Sequence, residues 1–141
     1  MSANLRRLLL RFNAVFLIVA GLAAWVNFDF PGSFSGSGPL GPLIAHEPSL
    51  GIGFVEAHGL ALILGVLLWR APTEKSWHVT AIAVHLLLGV SNIVFWQIFV
   101  ATNTLPMGWV STVIHGVLVL LHAFAALAAP RMLSAQIHSR P

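Results

Sequence analysis

The chain has 141 residues, of which 57% are hydrophobic and only 8% are charged. So few charges, against roughly a quarter of residues in an ordinary soluble domain, cannot cover a water-facing surface, and a soluble globular fold is excluded. The formal charge of +3 comes from Lys and Arg residues scattered singly or in one short N-terminal cluster, which excludes a nucleic-acid stripe, while the absence of cysteine excludes disulfides, thiolate metal sites, Fe–S clusters and cysteine nucleophiles.

Four apolar stretches, at about 7–28, 51–70, 78–101 and 108–129, are each long enough to cross the roughly 30 Å of a bilayer's hydrocarbon core as a helix. The expected fold is therefore all-α: a single domain over residues 1–141, built as an antiparallel bundle of four transmembrane helices. The first stretch follows Arg6, Arg7 and Arg11, as the apolar part of a signal peptide also does, but its length favours a retained span.

Basic residues set the orientation. Arg6, Arg7 and Arg11 precede the first span, Arg70 and Lys75 separate the second from the third, and Arg131 and Arg140 follow the fourth, while the other two connections carry no Lys or Arg. The positive-inside rule then puts both termini in the cytoplasm, and an integral protein of a bacterial inner membrane is the expectation. Trp25, Trp69, Trp77, Trp96 and Trp109 fall near span ends, as an interfacial aromatic belt does.

The connections differ in kind. Residues 71–77 and 102–107 are short and carry Pro72 and Pro106, so the helices they join are antiparallel neighbours. The outer loop 29–50 has a Pro-Gly-Ser-Phe-Ser-Gly-Ser-Gly-Pro run and reads as a flexible connector, with Leu40, Leu43 and Ile44 available to lie on the outer surface of the bundle. The tail 131–141 reads as cytoplasmic, with His138 solvated.

In the second span Gly53, Ala57, Ala61 and Gly65 recur every fourth residue, a small-residue stripe that predicts a central place for this helix. Ala57-His58-Gly59 and Ile114-His115-Gly116 form a weak internal echo between the second and fourth spans, open to a reading as parallel repeats.

The chemistry lies in ionisable groups placed within apolar segments, each costly in hydrocarbon and each a functional hypothesis. His78 and His85 are seven residues apart, as are His115 and His122, so the members of each pair share a helix face. Counting depth from the cytoplasmic ends at about 1.5 Å per residue sorts the polar groups into two tiers. The inner tier pairs His85 with His122; the outer tier gathers Glu56, His58, Asn92 and His115, with Ser111 and Thr112 above His115. His78, Asn13, Asn27 and Gln97 read as structural.

Four readings follow. Two neutral imidazoles on facing helices are the ligand set of a b-type haem, which would make His85 and His122 cofactor-binding residues of a membrane redox protein. Glu56, His58 and His115 could instead form a pathway for protons or a small polar solute, with Asn92 in the same seam. A metal site at His58, His115 and Glu56 is weakened because Glu56 and His58 point to opposite sides of Ala57. Finally, the buried polar groups could simply hold helices together in an accessory subunit. No phosphate loop, nucleophile elbow or His-Glu-x-x-His motif is present, so no catalytic residue is assigned. The expected partners are the lipid bilayer and a homo-oligomer or a larger membrane complex.

Overall fold

A computed structural model describes residues 1–129, so the tail 131–141, with Arg131, His138 and Arg140, lies outside the described residues. Those residues form helices α1 (Ala3–Ala24), α2 (Phe30–Ser35), α3 (Gly41–His46), α4 (Ser49–Arg70), α5 (Lys75–Val94), α6 (Trp96–Ala101) and α7 (Leu105–Leu127), and contain no strand. Helix α1 runs through a π-helical turn at Trp25–Asp29 into α2, so helical structure is continuous over Ala3–Ser35. This segment and α4, α5 and α7 are long and apolar enough to cross a membrane.

Local chemistry sets several helix ends. The Ser2 hydroxyl caps α1 by accepting from the Leu5 N–H at 3.3 Å. Proline occupies the first turn of α3 and α7, where its missing N–H costs nothing. Gly36, at φ 61°, closes α2 in the left-handed conformation.

Residues 29–50 are more ordered than their Gly-Ser composition suggests. The segment folds back as α2 and α3, with Leu40 and Ile44 buried against Gly32. The Trp25 indole donates to the Val55 carbonyl at 3.0 Å and pins the π turn to α4.

Two antiparallel pairs organise the long helices, α1 with α4 and α5 with α7. Helix α1 buries Arg6, Leu10, Asn13, Ala14, Leu17 and Gly21, a spacing of three and four that keeps one face inward. Its backbone approaches α4 closely at two glycines. A Cβ on Gly21 would stand 2.9 Å from the His58 carbonyl oxygen, and one on Gly65 would stand 2.9 Å from that of Ala14. Leu10, Ala14, Leu17 and Leu68 form the apolar core, flanked by Phe16, Ala61, Leu64 and Trp77.

The stripe on α4 does not make that helix central. Gly65 meets α1, whereas Gly53 has open space around it and Ala57 is exposed, because the α1 contact uses only part of the stripe. Helix α1 occupies the middle instead, touching α4 along its length and α7 through Asn13.

Apolar and polar surfaces are inverted relative to a water-soluble protein. Leu8, Val19, Leu60, Leu87, Leu120 and Phe124 point outward, while His78, His85, His115, His122, Asn13, Asp29 and Arg6 are buried. Exposed apolar surface on this scale far exceeds the patches tolerated on soluble monomers.

Candidate functional site

The buried polar groups form one row. Asn13, on the inner face of α1, reaches between α5 and α7. Its amide Nδ2 donates to His122 Nε2 at 2.9 Å, and its Oδ1 accepts from His85 Nε2 at 2.8 Å. His122 Nδ1 lies 2.9 Å from His78 Nδ1, and His85 Nδ1 lies 2.9 Å from His115 Nδ1. The order is His115, His85, Asn13, His122, His78, and none of the five exceeds 8% exposure.

The amide fixes every proton in a neutral row. His122 accepts on Nε2, so its hydrogen is on Nδ1 and is donated to His78 Nδ1. His78 then carries its hydrogen on Nε2. On the other side His85 donates from Nε2, accepts on Nδ1, and takes that bond from His115 Nδ1–H. All four hydrogen bonds thus point the same way, from His115 toward His78. The row begins at a lone pair on His115 Nε2 and ends at the N–H of His78 Nε2, which has no partner among the described residues.

Ring packing holds the row in place. The His85 and His122 rings stack with centroids 6.4 Å apart and planes 16° apart. Phe16 of α1 meets the His115 ring edge-on at 6.1 Å. The seven-residue spacings on α5 and α7 put both members of each pair inward, which is why two imidazole pairs form.

The pairing differs from the one that depth counting gives. The partners are His78 with His122 and His85 with His115, where His85 with His122 and an isolated His78 were expected. The cause is the α5–α7 connection. Helix α5 breaks at Phe95 and α6 belongs to the turn, so the connection covers residues 95–104 rather than 102–107. That change slides α7 past α5 by about two turns, and because both spacings are seven residues, each histidine meets the next partner along.

The Nε2 atoms of His85 and His122, the pair expected to hold a haem, are both bonded to the single amide of Asn13. Among the described residues no group of three or more His, Asp or Glu is placed to hold a metal ion.

The expected outer tier is dispersed. His115 belongs to the row, and Asn92 donates instead to the Ser111 hydroxyl at 3.0 Å. His58 pairs with Asp29, Nδ1 to Oδ2 at 2.7 Å, joining α4 to the end of the π turn. Glu56 is exposed on the outer face of α4, beside Gly59, Leu60 and Ile63. Asp29 is fully buried, and neither its Oδ1 nor the Ser33 hydroxyl has a hydrogen-bond partner among the described residues.

Sequence reasoning missed Asn13, His78 and Asp29 as site residues. A signal for the first existed: Asn13 sits seven residues after Arg6, in the inward register of Leu10 and Leu17. Asp29 gave none, since it stood just beyond the expected end of the first span.

No protein-family model, no curated protein and no solved structure matches this chain.

Proposed function

We propose that the protein is an integral membrane protein that takes up and passes protons through its buried imidazole row. The observation that carries this reading is the unbroken, one-directional series of four hydrogen bonds through His115, His85, Asn13, His122 and His78. Imidazole can both accept and release a proton near neutral pH, which makes each hydrogen-bonded histidine pair a relay element. An added proton on His115 Nε2 is balanced by transfer of the Nδ1 proton to His85. The Asn13 amide is the slow joint, because it must rotate or change tautomer before the His122–His78 pair can respond.

In this reading the four long helices form a bundle across the bilayer. Arg6, Arg7, Arg11, Arg70 and Lys75 mark the cytoplasmic end, which places both ends of the bundle chain on that side. Arg11 lies over the Trp69 ring at 5.3 Å, where an interfacial cation–aromatic pair belongs. The proton pathway expected through Glu56 and His58 is thereby moved to the α1–α5–α7 core.

The test is proton flux in liposomes under an imposed potential. Wild type is expected to conduct above empty-vesicle background. Asn13→Asp, which replaces the slow amide with a group that exchanges protons directly, is expected to raise flux several-fold, and Asn13→Leu to abolish it. Background flux for both wild type and Asn13→Asp would rule out the relay.

A second reading has its own support. All ring nitrogens within the row except its two ends are bonded to one another or to the Asn13 amide, so the row also ties three helices together, as in an accessory subunit of a membrane complex. The exposed Glu56, a carboxylate on a spanning helix, supplies a polar contact for a partner or a second copy.

A further inference from the structure

We propose that the first turns of α1 and α5 together form a binding site for an oxyanion, with Arg6 and His78 as its donors. Arg6 is the fourth residue of α1 and His78 the fourth of α5, and neither helix has an acidic residue in its first turn. The positive end of each helix therefore carries no acidic side chain of its own first turn. Trp77, the residue before His78, packs against the cluster of Leu10, Ala14, Leu17 and Leu68, whose Leu10 lies one turn after Arg6 on the same buried face of α1.

Both side chains are buried, Arg6 at 7% exposure and His78 at 0%. Arg6 donates from Nη1 to the Met1 carbonyl at 3.2 Å, but its Nε–H has no partner among the described residues, and neither has His78 Nε2. The direction of the row makes His78 Nε2 a donor, so the two buried unpartnered groups are donors of the same kind.

No carboxylate among the described residues answers them. The four acidic residues of the sequence are Asp29, Glu47, Glu56 and Glu74. Asp29 is bonded to His58, and Glu47 accepts from Ser49, both on the far side of the spans. Glu56 lies on the outer face of α4. Glu74 precedes α5 but is exposed and makes no ion pair with Arg6. A buried guanidinium without a counter-charge is strongly disfavoured in an apolar environment. An oxyanion supplies the missing charge and accepts from both N–H groups. Phosphate is the matching chemistry, since the planar guanidinium suits it and its several oxygens serve donors on two helices at once. At the cytoplasmic end of the spans, such a group comes either from the headgroup of an acidic phospholipid or from a free phosphate.

The experiment uses the full-length protein, labelled with ¹⁵N arginine and histidine. In mild detergent it is titrated with inorganic phosphate; separately it is placed in phosphatidylcholine nanodiscs with and without phosphatidic acid. The expected result is a saturable shift of the Arg6 Nε and His78 Nε2 resonances in at least one arm. Phosphate alone identifies a free anion and phosphatidic acid alone a lipid headgroup. Arg6→Gln is expected to weaken binding at least tenfold, whereas Arg7→Gln, which removes an exposed charge one residue away, leaves it unchanged. No saturable shift in either arm overturns the site. Equal losses in the two variants, or linear shifts shared by Arg7 and Arg11, overturn it in favour of diffuse attraction to a basic surface. Because the resonances are read in the wild type, the result stands even where Arg6→Gln fails to fold, and it is separate from any outcome for proton flux.

Discussion

Asn13 and His85, 72 positions apart in sequence, are joined by a buried hydrogen bond of 2.8 Å that couples the first spanning helix to the histidine row. The same amide also holds His122, so Asn13→Leu removes two bonds and leaves two imidazole nitrogens unpaired in the core. Orphaned buried polar groups cost about 1–3 kcal/mol each. Unfolding of the variant in mild detergent is expected to show a loss in that range or above it. A variant as stable as wild type would mean that the amide does not sit between the two pairs.

The register of α5 against α7 predicts which histidines are energetically coupled. In double-mutant cycles with phenylalanine, His78 and His122 are expected to show a coupling of about 0.6–1.7 kcal/mol, the range of interhelical hydrogen bonds in membranes. His85 and His115 are expected to do the same. The cross pair His78 with His115 is expected to be additive, and strong coupling there would contradict the register.

Haem supplementation tests whether the Asn13 amide keeps the Nε2 atoms of His85 and His122 from an iron. Protein expressed with added haem and purified in mild detergent is expected to show no Soret band. A Soret band lost on both His85→Leu and His122→Leu would require the row to open and the rings to separate.

The proposed orientation is testable by single-cysteine labelling, since the native chain has no cysteine to remove. Ser76→Cys at the start of α5 and Ser35→Cys at the end of α2 are both exposed positions on opposite sides of the spans. In intact bacterial cells expressing the variants, a membrane-impermeant maleimide is expected to label Ser35→Cys and to spare Ser76→Cys until the cells are lysed. The reverse pattern would invert the topology.

What the sequence determined by itself is the part of the fold that one-dimensional patterns encode. Apolar runs of membrane length give the spanning helices, because in hydrocarbon each backbone group must be bonded within its own segment. The seven-residue spacings of His78/His85 and His115/His122 likewise place each pair on one helix face, a consequence of helical periodicity alone. Inwardness of Asn13 was readable in the same way, from its register with Leu10 and Leu17.

Only the tertiary structure decided which of these faces meet. The pairing of His78 with His122 depends on where α5 stops, and the break at Phe95 is a local bend that no apolar pattern announces. The small-residue stripe of α4 permits a close neighbour without naming it, and the position of α1 settled that its Gly65 end is used and its Gly53 end is not. The Asp29–His58 pair and the Asn13–His85 bond join residues far apart in the sequence. Such contacts arise from the relative slide and rotation of whole helices, which are set by the sum of many weak packing contacts and carry no signature at any single position.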